Sequence, residues 1–204
     1  MDDMNASLIS LLRANMGMPI DPDLAADILV LADQIPSLVP FDVIDRIKPA
    51  VCGEFAFAVE RIEDIEEEIK PLHKSHWIEI GRDPLTLRPN YEAFIKNERA
   101  GRFVMFTVRA NDRLVGHCSL YLTESAHTGA LIATEDALFF LEEARKGRTA
   151  QRFISYCEKA LYQIGVREIE VSVKTVNRAA RFFQMLGYKK MDIGLRKVME
   201  GQNA

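Results

Sequence analysis

Ala137-Leu-Phe-Phe-Leu-Glu-Glu-Ala-Arg-Lys-Gly-Arg-Thr-Ala150 is the stretch on which the fold of this chain turns. Its apolar opening, residues 137–141, reads as a buried strand. A cationic turn with one glycine follows. Then Phe153, Ile154, Cys157, Ala160, Leu161 and Ile164 recur as the buried stripe of a long helix. A helix N-terminus exposes N–H groups without intrahelical acceptors and carries a partial positive charge, so it attracts anions. Arg145, Lys146 and Arg148 add cationic charge at that end, while Gly147, Thr149 and Ala150 keep the side chains small. The combination suits a pyrophosphate. It matches neither the Gly-Lys-Ser/Thr ending of a Walker loop nor the Gly-x-Gly-x-x-Gly of a dinucleotide-binding turn. On charge alone, a solvated basic helix start accounts for the residues equally well.

Working outward, Gly165 ends the helix, and residues 168–174 alternate as a strand with Ile169, Val171 and Val173 inward. Ala179, Phe182, Phe183 and Leu186 mark another helix, stopped by Gly187, and a last strand runs from Tyr188 toward Val198. Upstream, residues 102–109 and 114–122 form an antiparallel hairpin turning at Asn111-Asp112, next to a strand over 130–141. Before the hairpin lie a helix over 91–100 and one over 60–80, which Pro71 kinks or splits. Phe55, Phe57 and Val59 alternate with alanines as a short strand. The first fifty residues are helical and broken by prolines. Asp21 caps a helix with Pro22 at its first position, and Leu24, Ile28, Leu31, Ala32 and Ile35 make its stripe. A shorter helix over 41–48 buries Val43, Ile44 and Ile47. The order, helices and then β-α-α-β-β-β-α-β-α-β, predicts a mixed α/β (α+β) sheet rather than a doubly wound one. It divides the chain into a helical N-terminal extension, 1–53, and a sheet domain, 54–200.

With 204 residues, 48% of them hydrophobic, the chain has material for one domain and an extension. Its 26 basic and 30 acidic residues leave a net charge of −4, which argues against general nucleic-acid binding. No apolar run is long enough to span a bilayer, and Asp2-Asp3 at the start does not fit a signal peptide. Cys52, Cys118 and Cys157 are too few and scattered for a disulfide framework or a zinc site, so a reducing, cytoplasmic setting is expected.

The quoted stretch resembles the GNAT family of acetyl-CoA-dependent N-acetyltransferases, in which a strand feeds a turn Arg/Gln-x-x-Gly-x-Gly/Ala and then a helix. Here Arg145-Lys-Gly-Arg-Thr-Ala150 supplies the first Arg and the final small residue, with its glycine one place early and Arg148 in the usual glycine position, a variant seen in phage-encoded members. His76-Trp77, the Phe106-Thr-Val-Arg…Arg113-Leu-Val-Gly116 hairpin and Glu135-Asp-Ala-Leu-Phe-Phe140 are similar to that group too. So is Asn177-x-x-Ala-x-x-Phe-Phe-x-x-Leu-Gly-Tyr188, and the likeness covers roughly residues 55–198.

The resemblance implies the GNAT acyl-CoA N-acyltransferase fold, acetyl-CoA as co-substrate and no metal. Residues 145–150 would cradle the coenzyme A pyrophosphate, Phe140 and Leu141 would meet pantetheine through their backbones, and Asn177 would touch the coenzyme or simply cap a helix. Asp136 aligns with an acidic position of the family's central strand. Four residues before Phe140, it is expected on the same face of the strand, as general base, with Glu135 second on the other face. A paired or solvated carboxylate is the plainer reading of either. Many members have a proton-donating tyrosine in the closing helix. By that spacing the position here is Phe183, which leaves Tyr188 as a weaker acid or water in its place. The acceptor amine would lie between the first two helices and the hairpin, near His76, Trp77, Tyr91 and His117, with His73, Glu92 and His127 also available. His73 and His76, three apart on a helix, could touch a common ligand. The acceptor class stays open among polyamines, lysines, aminoglycosides, peptide N-termini and modified bases. So does a homodimer through the N-terminal helices or the sheet edge. The rival reading is a non-catalytic GNAT-fold protein acting as a structural or host-interaction factor.

Overall fold

In the computed structural model, which describes residues 10–33, 37–174 and 179–195, the apolar strands assemble into one six-stranded sheet. Its strands are β1 (Ala50–Cys52), β2 (Phe55–Val59), β3 (Phe103–Ala110), β4 (Arg113–Glu124), β5 (Leu131–Phe140) and β6 (Val166–Glu170), and they lie side by side in chain order. All neighbours are antiparallel except β5 and β6, which run parallel. The result is a mixed α/β architecture that keeps the predicted order of elements as far as residue 185, plus one strand, β1, that alternation did not reveal. Residues 103–108 of β3 are buried without alternation, because helices cover both faces of the sheet there.

One face is covered by α3 (Ile62–Glu79) and α4 (Tyr91–Arg99), counting α1 (Pro22–Asp33) and α2 (Phe41–Ile44) before them. Ile62, Ile65, Ile69 and Leu72 recur at helical spacing on α3 and pack on Phe103, Met105, Leu114 and Phe139. The buried carboxylate of Glu98, on α4, accepts the N–H of Ile62 at 3.2 Å and so caps α3. Pro71 does not split α3. Its ring is on the exposed side, where the Glu67 carbonyl it leaves without a donor can turn to water. The opposite face is covered by α5 (Thr149–Gln163), whose Phe153 ring lies 5.4 Å from Phe57 and 5.5 Å from Phe140.

In the extension, the Asp21 carboxylate accepts the Leu24 N–H at 2.8 Å and starts α1, as predicted. Leu24 and Ile28 are half-buried, while Ile35 and the side chains of Leu31 and Ala32 lie outside what is described. The second helix is one turn, 41–44, shorter than the predicted 41–48. Val39, Ile44 and Ile47 are nonetheless buried. The N–H groups of Leu38 and Val39 donate to Ala100 and Gly101 at 3.0 and 3.3 Å. At Gly101 (φ +62°) a Cβ would come within 2.0 Å of the Val39 carbonyl oxygen, so only glycine admits this crossing.

The chain divides into two compact units, one ending at Ser172 and the other beginning at Val173. The second holds α6 (Ala179–Met185), with Phe183 buried against Tyr188 at 5.1 Å between rings and the Tyr188 N–H returned to the Phe183 carbonyl at 3.1 Å. Two expectations fail here. β6 spans 166–170 instead of 168–174, with Val173 exposed, and residues 188–195 form no strand. The remaining residues of that predicted strand lie outside the described ones.

Candidate active site

The parallel pair β5–β6 is short. Leu131 to Thr134 pair with Val166 to Glu170, and β5 then continues to Phe140 with no strand partner on that side among the described residues. At the fork the Glu135 carboxylate accepts the Ser172 N–H at 3.2 Å. The backbone alternation beyond the fork is set by Leu141, whose N–H donates to the Val115 carbonyl of β4 at 2.8 Å. Leu138 and Phe140 therefore turn their N–H and C=O groups the other way, to the open edge. The Leu141 N–H thus belongs to the sheet, and Leu138 and Phe140 present the open backbone groups.

Ser119 pairs with Ala137, but Leu120 pairs with Glu135, so Asp136 is an extra residue in β5, a β-bulge. The bulge also overturns the expected shared face of Asp136 and Phe140. Asp136 accepts a hydrogen bond from the Ser119 hydroxyl at 3.2 Å. Ser119 alternates with His117 and Tyr121 on the α3 face, whereas Phe140 packs on Phe153 of α5. The bulge shifts the alternation by one, and Asp136 emerges on the α3 side at the surface. Burial, and then the Asp136 charge, hold the neighbouring Tyr121 hydroxyl above its usual range. Ser119 and Tyr121 were not singled out from sequence, because only the register of β4 against β5 brings them to Asp136.

Residues 142–144 make a short 3-10 turn after β5, Gly147 takes φ +61°, and Arg148 precedes α5 with no side chain capping the helix. Among the described residues the N–H groups of Gly147, Arg148, Ala150 and Gln151 have no hydrogen-bond acceptor. Thr149 is buried, its hydroxyl donating to the Lys146 carbonyl at 2.9 Å. Lys146 and Arg148 are exposed and enter no salt bridge among the described residues. Four N–H groups without acceptors, a helix dipole and two cations outside any salt bridge among the described residues fit a diphosphate. Arg145 behaves differently from its neighbours. Its guanidinium turns back to the Phe140 carbonyl, at 2.8 Å from Nε and 2.6 Å from Nη2, and pairs with Glu79 at the end of α3.

On the α3 face, His73, His76 and His117 come together beside Phe139, with the His73 ring 5.0 Å and the His76 ring 6.5 Å from that of His117. His73 stacks on Tyr91 and its Nδ1 lies 3.0 Å from the Tyr91 hydroxyl. Burial, and then the nearby His76, push His73 down to about 4. His117 is fully enclosed, neither ring nitrogen is hydrogen-bonded among the described residues, and burial holds it well below its usual value. It is thus shut off from an acceptor, contrary to expectation. Trp77 is drawn elsewhere: its indole N–H donates to the Asp83 carbonyl at 2.9 Å and ties α3 to the following loop. His127 is on the exposed β4–β5 turn, and Glu92 is exposed at the start of α4. Tyr188 lies in the second unit, and Asn177 lies outside the described residues. Among the described residues no three His, Cys, Asp or Glu are arranged to hold a metal, and no helix is long and apolar enough to cross a membrane.

Solved structures share this arrangement of strands and helices. An aminoglycoside acetyltransferase from an uncultured soil metagenomic sample, in complex with sisomicin, superposes with a TM-score of 0.60 at 14% identity, covering 72% of this chain and 97% of that one. Ribosomal-protein-alanine N-acetyltransferase from Brucella melitensis biovar Abortus 2308 gives 0.57 at 16% identity over 72% and 99%. A transcriptional regulator from Bacillus halodurans C-125 gives 0.59 at 17% over 71% and 99%. At such identities the likeness is one of fold. No curated protein matches the chain. The comparisons support the family and not its phage-encoded branch. The model of the Acetyltransferase (GNAT) family matches residues 60–188, from the end of β2 through the open-edged β5 and the α5 turn to Tyr188. With well over half its length matched, this chain belongs to the GNAT acetyltransferase family.

Proposed function

We propose that the protein is an N-acetyltransferase that moves the acetyl group of acetyl-CoA directly to a primary amine. One juxtaposition carries the reading. The open edge of β5 leads straight into the N–H-rich, cationic start of α5, and Asp136 stands out of the same strand three residues before Phe139. The N–H groups of Gly147, Arg148, Ala150 and Gln151, with the side chains of Lys146 and Arg148, would hold the pyrophosphate. Leu138 and Phe140 offer the backbone donors and acceptors that an amide-bearing pantetheine arm requires, and an N–H on this edge would stabilise the oxyanion.

Asp136, held by Ser119, takes the proton of the attacking amine. The new N–C bond forms, the C–S bond breaks, and water returns a proton to the thiolate. Phe183 cannot supply that proton, but a thiolate is stable enough to leave unprotonated and then take its proton from solvent. The acceptor enters from the α3 face, past His76 and Tyr91. The names of the structural neighbours point to two acceptor classes worth testing, aminoglycosides and protein N-termini.

Calorimetric titration with acetyl-CoA tests the donor site. Wild type should bind at micromolar concentration, and Arg148→Glu should weaken binding at least about tenfold by placing a like charge against the phosphates. An amine panel containing spermidine, an aminoglycoside and an alanine-terminated peptide then tests the chemistry. Asp136→Asn should lower kcat about 100-fold or more on any accepted amine, with little change in acetyl-CoA affinity. A folded wild type that fails to bind acetyl-CoA would refute the reading. Binding without turnover on any amine would favour the non-catalytic alternative.

A further inference from the structure

We infer that Glu79 holds Arg145 away from the acyl donor, so that the two residues form a latch over the donor groove that must open as the donor binds. The inference rests on the acetyl-CoA reading above. Arg145 sits in the turn assigned to the pyrophosphate, yet its guanidinium faces backward. Nε and Nη2 both donate to the Phe140 carbonyl, Nη2 pairs with the Glu79 carboxylate, and the cation lies 5.3 Å from the centre of the Phe139 ring. These contacts join the end of β5, the turn before α5 and the last residue of α3.

Two of the contacts compete with the donor. A carbonyl oxygen has two lone pairs, and Arg145 places an N–H on each of those of Phe140. Because that carbonyl faces the open edge, an amide N–H passing along the edge can use it only after Arg145 has released at least one bond. The second competition is for charge. A guanidinium binds carboxylate and phosphate in the same forked geometry, so Glu79 and a diphosphate contend for one cation. Lys146 and Arg148, by contrast, make no salt bridge among the described residues. Glu79 also has no reason of its own to be acidic. It is the last residue of α3, where a negative charge opposes the helix dipole. Among the described residues its side chain pairs with Arg145 alone, which makes it a positioning residue acting through that side chain.

The test is calorimetric titration with free coenzyme A on wild type, Glu79→Gln, Arg145→Gln and the double variant, as a double-mutant cycle. Because the pair is partly exposed, Glu79→Gln should bind coenzyme A about two- to fivefold more tightly than wild type, and the gain should shrink as salt is raised. Damage to the fold cannot tighten binding, so the sign of the change is diagnostic. In the Arg145→Gln background, Glu79→Gln should have no effect. Unchanged or weaker binding by Glu79→Gln, or a gain that persists without Arg145, overturns the latch while leaving the donor site standing. If folded wild type binds no coenzyme A, the donor reading fails and the latch fails with it.

Discussion

His117 is fully buried, and neither of its ring nitrogens has a hydrogen-bond partner among the described residues. A buried imidazole in that condition is tolerable only while neutral, and its depressed pKa, with that of His73 near 4, has a definite consequence for stability. Because the folded-state values lie below the unfolded value of about 6.5, both groups support the fold fully above that pH. Their support is lost as pH falls from about 6.5 toward 4, where the unfolded chain takes up protons that the folded one refuses. Replacing the ring with a similar apolar volume removes the orphaned nitrogens. His117→Leu should therefore lose less stability than wild type between pH 7 and pH 5, a difference of about 1–2 kcal/mol in urea titrations at the two values. From sequence, His117 is expected near the acceptor because it lies on the hairpin that faces the first two helices. Its enclosure follows from α3 lying across β4, which no local pattern reveals. Arg145 is a similar case: its place in the turn was legible, while the direction of its guanidinium depended on Glu79, distant in sequence.

At the scale of elements, alternation and helical stripes located most strands and helices, because each buries a face whose period is written locally. They failed where a property belongs to a pair. The face of Asp136 was inferred from even spacing to Phe140, and the bulge that breaks this spacing is defined only by β4 opposite. β1 was hidden for a related reason, since three residues cannot show a period. The crossing of Val39 over Gly101 is another paired feature, and it can be probed directly. Gly101→Ala forces either a strained left-handed alanine or retreat of residues 38–39 from the α4–β3 turn. The variant should lose more than about 2 kcal/mol of stability in chemical denaturation, with the loss relieved little by changes elsewhere in the extension.

For the whole molecule, the order of elements was readable because only one sheet accommodates those strands with helices on both faces. What the extension does for it was not. Its apolar residues are unequally used. Val39, Ile44 and Ile47 are buried, whereas Leu12, Met16, Met18 and Ile20 are 47–79% exposed. A chain beginning at residue 21 should melt within a few degrees of the full chain. One beginning at residue 50 gives up three buried side chains at about 1.5–3 kcal/mol each and should unfold at a much lower temperature. Circular-dichroism melts of the two truncations make the comparison, and equal loss from both would assign the stabilising contacts to the first twenty residues instead.

The bulge in β5 also bears on how this protein can change over generations. Ser119 with Ala137 and Leu120 with Glu135 are successive rungs, so the ladder on either side of Asp136 already has the register of an uninterrupted strand. Loss of a single codon at that position would leave every remaining pair in place and the sheet more regular than before. The strand ladder has no need of the residue. On the proposed role of Asp136 as base, one inherited deletion would therefore remove the catalytic group and leave the sheet intact, and one insertion at that rung would restore it.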